Sequence, residues 1–285
     1  MYDDILYPSD FSKPSRVALP VAIDLCRILE LKLTAFHGKV RSAEEHEYSD
    51  LETVNILTRE AGVPFAIEYD SGDDVADLVV KRCRSKPPLL CVMGTHGRRP
   101  LAKWMMASIT EQVMRHSQRP LVLVPPHVAD RKWEGIRTIL VGIDFSLPSR
   151  HALAWASVIS RKSSATVHVM HTIESGVLTG TPFEFPSMKE LIPNAQQTVM
   201  EAFKNFDSNI LFPTVPHHHV ATGVAHKEIV KLALTIPADL LILGPHGSGG
   251  MKDLLIGSTT DRVVRMSPCP VFIAKGAPPA EYHNT

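Results

Sequence analysis

The chain lacks an excess of charge of either sign, because its 285 residues include 30 Lys and Arg and 30 Asp and Glu. Without a basic excess we expect no nucleic-acid partner and no membrane-surface partner. No apolar run approaches the roughly 18 residues that a membrane helix needs. The N-terminal stretch MYDDILYPSD lacks the basic and apolar segments of a secretory signal. These absences favour a cytoplasmic protein without membrane contact.

Cysteine and aromatic residues are also scarce, and the common phosphate-binding motifs are missing. The four cysteines are scattered without a C-x-x-C pair, which favours reduced, mostly buried thiols. Aromatic residues make up 6% of the chain, and its tryptophans are too dispersed for a base-stacking platform. The sequence contains no G-x-x-x-x-G-K-[ST] and no G-x-G-x-x-G, so neither a Walker A loop nor a dinucleotide fingerprint is expected.

The chain does contain an internal repeat. ILYPSDFSKPSRVAL, which begins at Ile5, matches ILVGIDFSLPSRHAL, which begins at Ile139, at ten of fifteen positions. GTHG in the first copy likewise matches GPHG in the second, further along the chain. We predict two homologous domains, residues 1–127 and 136–277, joined by a short polar segment. The last residues, APPAEYHNT, are expected to form a loose tail.

Each copy alternates short apolar runs with amphipathic segments of helical spacing. This alternation predicts a parallel sheet with helices on both faces, so the fold class is α/β, with two tandem doubly wound domains. In such sheets a ligand binds at the carboxyl ends of the strands, where the strand order reverses. The last strands, PLVLVP and PVFIAK, could pack together as an internal pseudo-dimer of domains. Whether whole chains form a homodimer stays open.

The glycine-rich segment GPHGSGGMKDLLIGST, residues 244–259, follows the apolar run LLIL. Its glycines allow backbone conformations and close approaches that a Cβ would forbid. Ser258 and Asp261 form an S-x-x-D pattern, which predicts that Ser258 caps a helix. The free amides at that helix start, and its dipole, attract an anion. Glycine turns after parallel strands also occur without a ligand, so this pattern alone favours a phosphate site only moderately.

The spacing G-x2-G-x9-G-S in that segment, together with DFS after the first strand of the copy, closely resembles the universal stress protein family. The resemblance covers nearly the whole chain, once per copy. It implies a five-stranded parallel sheet of order 3-2-1-4-5 in each domain and, in one branch of the family, bound ATP, with or without Mg. The nucleotide-binding residues that it implies are Asp144, Thr172, Gly223, Gly244, His246, Gly247, Lys252, Gly257, Ser258 and Thr259.

Several of these assignments have alternatives. Asp144 would meet the nucleoside, but it could instead cap the entry of the following helix. Thr172 would contact the base through its backbone, and the neighbouring His171 is interpreted as a packed histidine. Lys252 could reach the phosphates or point to solvent. The pair His217 and His219 shares a strand face and could begin a metal site, although a solvated edge is the preferred interpretation and no metal is predicted.

The first copy departs from the family pattern. Ala107 replaces the third glycine, Gly38 stands where Thr172 does, and RRP replaces SGG. We therefore predict a weaker or lost nucleotide site there, or a site adapted to another ligand. Its candidate residues are Asp10, Gly94, Gly97, Arg98 and Ser108, the last capping a helix with Glu111.

These features predict an ATP-binding universal stress protein with a regulatory or stress-survival role and an unknown protein partner. No catalytic residue is assigned, because no general base or metal-binding carboxylate pair is evident near the phosphates. Two alternatives stay open. The chain could be a slow ATP-hydrolysing enzyme, or an interaction module whose first domain binds another small ligand.

Overall fold

The computed structural model describes residues 2–40, 51–95, 108–130, 132–173, 188–247 and 256–282. The strands are β1 Asp4–Pro8, β2 Lys32–Val40, β3 Phe65–Gly72, β4 Leu90–Gly94, β5 Leu121–Val124, β6 Thr138–Ile143, β7 Thr166–Ile173, β8 His217–Thr222, β9 Leu240–Leu243 and β10 Val271–Ile273. The α-helices are α1 Lys13–Arg16, α2 Leu19–Leu29, α3 Leu51–Glu60, α4 Val75–Ser85, α5 Ser108–His116, α6 Leu147–Ser163, α7 Met188–Phe206, α8 Ala225–Thr235 and α9 Ser258–Met266.

All described strands belong to one ten-stranded sheet, in the order β3-β2-β1-β4-β5-β10-β9-β6-β7-β8. Within each half the neighbouring strands are parallel. Each half therefore has the order 3-2-1-4-5, counted along its own strands, and the predicted fold class is confirmed. The order reverses beside β1 in the first half and beside β6 in the second, which is where a ligand crevice forms in such sheets.

The two halves join through their last strands. β5 and β10 pair antiparallel, with Phe272 opposite Val122. Both strands are fully buried apolar runs, so this joint is a continuation of the core rather than a contact between surfaces. This arrangement matches the predicted internal pseudo-dimer of domains.

Helices cover the sheet on both faces, as the buried strands require. Side chains of α2, α3, α6 and α7 pack on one face together with Ile5, Ile139 and Phe272. Side chains of α4, α5, α8 and α9 pack on the other face together with Leu6, Leu140 and Val271. The alternation of these strand residues between two apolar clusters is the period of two that a sheet buried on both faces imposes. Among the described helices none is long and apolar enough to span a membrane.

The C-terminal residues differ from the predicted loose tail. Residues Ala280–Tyr282 form a 3-10 helix, and Tyr282 is only 8% exposed. The guanidinium of Arg161, in α6, donates to the Tyr282 carbonyl over 2.7 Å. The expectation was wrong because it rested on a proline-rich composition. The aromatic side chain of Tyr282 instead packs against the apolar core.

Candidate functional site

The candidate crevice lies at the carboxyl edge of the second half, between β6 and β9. These two strands are neighbours, with Ile139 beside Leu240 in register. Asp144 follows β6, and Gly244 follows β9. The topology therefore brings together the two sequence features that were predicted to face one another.

Asp144 begins a tight turn into helix α6. Its Oδ1 accepts hydrogen bonds from both the backbone amide and the hydroxyl of Ser146. The N-cap itself is Ser146, whose Oγ accepts from the Ser149 amide. Asp144 thus supports the helix entry without being its N-cap, which leaves the orientation of its second oxygen, Oδ2, to be set by the glycine loop opposite.

The glycine loop packs so closely that a side chain would be crowded at three positions. A Cβ on Gly247 would lie 2.4 Å from Oδ2 of Asp144. A Cβ on Gly244 would lie 2.9 Å from Cβ of Pro148, in α6. A Cβ on Gly257 would lie 3.1 Å from the Cα of His246. Real Cβ atoms essentially never approach other atoms within 3.0 Å, so a side chain at Gly244 would have to displace the start of α6, and one at Gly247 would have to displace the Asp144 carboxylate.

The two ends of the glycine segment meet at the start of α9. The Gly257 amide donates to the Pro245 carbonyl over 2.8 Å. The Thr260 hydroxyl donates to the Gly244 carbonyl over 2.8 Å and fixes the helix against the end of β9. Ser258 is exposed and Thr259 half-buried, so the first turn of α9 presents hydroxyls and amides toward the crevice opening.

The predicted capping role of Ser258 is wrong. Helix α9 begins at Ser258, and its N-cap is Gly257, which makes no side-chain cap bond. Glycine at the N-cap leaves the first amides of the helix without a side-chain acceptor from that residue. An anion at this helix start would therefore not compete with a capping hydroxyl. Ser108 is the first described residue of α5, and residue 107 lies outside the described residues, so its capping role stays a prediction.

The neighbouring strands supply two buried hydroxyls. Thr172, near the end of β7, is 8% exposed, and its Oγ1 has no hydrogen-bond partner within the described part of the chain. Oγ1 of Thr222, at the end of β8, is also buried and has no hydrogen-bond partner within the described part of the chain. Buried hydroxyls normally find a partner, so their position at the carboxyl edge of the sheet indicates a place where a ligand or water would bind.

Gly223 and His171 have structural roles that can be read from their contacts. Gly223 has a φ of +152°, where a side chain would be strained, and a Cβ there would lie 3.1 Å from Oε1 of Glu228. Nδ1 of His171 is hydrogen-bonded to the Ile143 carbonyl at 2.9 Å, and the centroid of its ring lies 4.8 Å from that of Phe145. His171 is therefore packed between β6 and the turn that carries Asp144.

Sequence reasoning missed the residues that shape this turn. Phe145 has a φ of +61°, which non-glycine residues rarely adopt. It packs on His171, Phe203 and Phe206, contacts that fix this backbone conformation. Phe11, its counterpart, has a φ of +55°. The signal was present in the repeat, because D-F-S-x-P-S-R is identical in the two copies.

The first half repeats the turn after its first strand and the hydrogen bond that ties its last helix to the fourth strand. Asp10 accepts from the Ser12 amide at 3.0 Å and from the Ser12 hydroxyl at 2.6 Å. The Thr110 hydroxyl donates to the Gly94 carbonyl over 3.1 Å, as Thr260 does to Gly244. Gly97, Arg98, Ala107 and Lys252 lie outside the described residues.

A described difference between the halves that bears on the site lies beside β2 and β7. A Cβ on Gly38 would lie 3.1 Å from Val75 and 3.3 Å from Leu78, two side chains of α4. Helix α8 has Ala225 and Glu228 at the corresponding positions. The first half therefore fills with aliphatic side chains the region where the second half has a threonine hydroxyl and a carboxylate.

The histidines of the second half form a cluster that the sequence showed only in part. His217 and His219 share a face of β8, as predicted, and the ring of His168 in β7 stacks on both. Nδ1 of His168 and Nε2 of His219 are hydrogen-bonded at 2.9 Å. His218, on the opposite face, is paired with Asp207. Within the described chain no group of three or more His, Cys, Asp or Glu side chains is arranged to hold a metal ion.

Comparison with known proteins agrees with this architecture. The universal stress protein family model matches residues 39–125 and 135–275. Universal stress protein A homolog 1 of Coxiella burnetii is 28% identical over 135 residues, which are 47% of this chain and 92% of that protein. Universal stress protein Rv2005c of Mycobacterium tuberculosis is 27% identical over 191 residues, 65% of this chain and 61% of that protein.

A solved universal stress protein from Archaeoglobus fulgidus shares the fold over 96% of this chain and 98% of its own, with a TM-score of 0.64 and 21% identity. A functionally unknown protein of Pseudomonas aeruginosa, PA1789, superimposes with a TM-score of 0.71 over 99% of this chain and 94% of its own, at 17% identity. Since the family model matches most of the sequence, in one segment of each half, the chain belongs to the universal stress protein family and carries two of its domains in tandem.

Proposed function

We propose that the second half binds ATP at the carboxyl edge of the sheet, beside Asp144 and the glycine loop that packs on it, and that binding serves a regulatory role. The observation that carries the proposal is the close approach of the Gly247 backbone to Oδ2 of Asp144. It sets a carboxylate, which accepts from ribose hydroxyls, beside a loop that leads to a helix start. A nucleoside and its phosphates need these two chemistries side by side.

The start of α9 suits the phosphates. Gly257 caps the helix without a side chain, so the amides of its first turn keep their capacity for an anion. The hydroxyls of Ser258 and Thr259, in that same turn, add donors. In this proposal Gly244, Gly247 and Gly257 keep side chains away from the phosphate path, and His246 flanks it.

The exit of β7 and β8 suits the nucleoside. The Thr172 hydroxyl is buried without a partner in the described chain, and Gly223 keeps the neighbouring loop free of a side chain. A base held there would satisfy a hydroxyl that otherwise loses a hydrogen bond, a deficit of about 1–3 kcal/mol. Val75 and Leu78 occupy the corresponding region of the first half, which supports one strong nucleotide site per chain.

Analysis of bound nucleotide tests the proposal directly. Freshly purified full-length protein is denatured, and the supernatant is analysed for nucleotides by chromatography, alongside calorimetric titration of nucleotide-free protein with Mg-ATP. We expect about one ATP per chain, because one crevice carries the full set of features. Recovery of ADP alone would replace the binding role with slow hydrolysis. No recovered nucleotide together with no heat of binding would refute the proposal.

A matched pair of variants locates the site. Asp144→Asn keeps an oxygen for Ser146 but removes the carboxylate, so ATP affinity should fall by about tenfold or more, ~1.4 kcal/mol. Asp10→Asn is the control, because Asp10 makes the same two bonds, to Ser12. Its effect on ATP affinity should stay within about twofold. Equal losses in both variants, or none in either, would contradict the placement in the second half.

A further inference from the structure

Two cysteines of the first half lie in contact inside the core. Cys83 is on α4, Cys91 is on β4, and their sulfur atoms are 3.4 Å apart. Cys83 is 3% exposed and Cys91 is fully buried. The distance is that of a thiol–thiol hydrogen bond, and side-chain rotation has to close it to about 2.05 Å for a covalent bond. The other two cysteines, Cys26 and Cys269, are also buried and are not disulfide-bonded.

The repeat shows that the fold does not need thiols at these positions. The residues of the second half that correspond to Cys83 and Cys91 are Ala233, on α8, and Leu241, on β9. Both are buried in the same kind of contact between a helix and the neighbouring strand. An apolar pair therefore packs this contact between helix and strand equally well. Of the two halves, the first alone has two oxidisable sulfur atoms at these positions.

Cationic side chains lie near enough to the pair to interact with it electrostatically. Lys275, which follows β10 of the other half, reaches across the joint and donates through Nζ to the carbonyls of Met114 and Ser117. Arg119 donates to the Leu89 carbonyl over 3.0 Å, and its Nε is buried without a partner among the described residues. Ammonium and guanidinium groups in a core stabilise a neighbouring thiolate, which is the reactive form of cysteine.

The two sulfurs are electrostatically different. The two thiols share a hydrogen bond in which either sulfur can donate. This bond, helped by Ser117 and by the charges of Arg82 and Arg119, lowers the pKa of Cys83. The same bond, together with complete burial, raises the pKa of Cys91. Cys83 is also the less buried of the two sulfurs, 3% exposed against 0% for Cys91, so a small oxidant would reach it first.

We propose that Cys83 and Cys91 form an oxidation site that closes to an intramolecular disulfide when the protein meets a peroxide. The Cys83 thiolate attacks one oxygen of hydrogen peroxide, an S–O bond forms, the O–O bond breaks, and the departing hydroxide takes a proton to become water. Cys91 sulfur then attacks the sulfenic acid, the S–S bond forms, and the S–O bond breaks. The leaving hydroxide takes the Cys91 proton as a second water, so the two sulfurs are oxidised by two electrons and the peroxide is reduced. This inference is independent of nucleotide binding.

Mass spectrometry of the folded full-length protein tests the site. Reduced protein is treated with graded hydrogen peroxide, quenched with catalase, denatured and alkylated. We expect a species about 2 Da lighter before alkylation, in which two of the four thiols no longer react. Peptide mapping should find Cys83 joined to Cys91, and dithiothreitol should restore all four thiols.

Variants taken from the repeat supply the controls. Cys83→Ala and Cys91→Leu copy the second half, so they should fold, and each should lose the cross-link completely. Cys26→Ala and Cys269→Ala should form the disulfide to the same extent as the original chain. Sulfinic or sulfonic acid on a single cysteine, a disulfide between chains, or four thiols that stay unreacted in the folded protein would each overturn the proposal.

Discussion

At the scale of single residues, one difference between the two glycine segments is a single methyl group, since Gly257 of the second copy corresponds to Ala107 of the first. The backbone at Gly257 has a φ of −62°, which any residue adopts, so glycine is not required there by conformation. What restricts position 257 is the contact with the His246 backbone, 3.1 Å from where a Cβ would be. A methyl there would have to displace the loop by a few tenths of an ångström.

Gly257→Ala should therefore weaken ATP binding with little effect on folding. We expect the dissociation constant to rise about tenfold, because the shifted loop misaligns the amides at the start of α9, while the melting temperature changes by no more than about 3 °C. Titration calorimetry and thermal unfolding measure the two quantities on the same sample. An unchanged affinity would remove the argument that Ala107 weakens the first site.

At the scale of elements, the edge pair β7–β8 carries a pH-dependent contact. His168 and His219 share one hydrogen bond between ring nitrogens, which requires at least one neutral ring. Burial, and then the proximity of His219 and His217, lowers the pKa of His168 to about 4. Burial also lowers the pKa of His219, with the charges of His217 and His218 adding to the effect. The folded state thus disfavours protonation of His168 and His219.

The sign of the resulting pH dependence follows from linkage. Between pH 6.5 and about 4 the unfolded chain binds a proton at His168 that the folded chain does not, so the free energy of unfolding falls as the pH falls through this window. His168→Thr copies Thr34 of the first half and removes this contribution. Denaturant unfolding at several pH values should give a shallower acid slope for the variant. Parallel slopes for the two proteins would contradict the assignment.

The same edge shows how far the sequence could lead. The repeat and the alternation of apolar runs predicted the α/β fold, and the resemblance to the family implied the strand order. His217 and His219 were seen to share a face because the strand period is local. Their contact with His168 depends on the register of β7 against β8, which no local pattern contains. The capping prediction for Ser258 failed for a related reason, since the bond from Gly257 to Pro245 decides where α9 begins.

At the scale of the whole molecule, the joint between the halves is the feature that makes one body of two domains. β5 and β10 provide its backbone pairing, and both strands are entirely buried. Lys275 adds a polar link, because its ammonium group donates hydrogen bonds to carbonyls at the end of α5 in the other half. Such carbonyls at a helix C-terminus favour a cation. A lysine held in this way strengthens the joint only as far as its hydrogen bonds outweigh the cost of burying its charge.

Lys275→Met measures that balance. Burial lowers the pKa of Lys275 to about 8, against 10.5 for an exposed lysine. Between these values the unfolded chain holds a proton that the folded chain has released, so the free energy of unfolding of the original protein rises with pH. Relative to the methionine variant it should gain on the order of 2 kcal/mol between pH 8 and pH 10.5, an amount limited by the partial exposure of the side chain.

The comparison is made as a difference because buried phenols titrate in the same range. Burial raises the pKa of Tyr7 to about 12, and a phenol such as this one contributes equally to both proteins. Urea unfolding of the two proteins, followed by far-UV circular dichroism at each pH, gives the difference directly. If the difference in free energy of unfolding between the two proteins stays constant from pH 8 to pH 10.5, the ammonium group is not buried at the joint. A gap that widens in favour of the original chain would establish Lys275 as a buried, titrating link between the two halves.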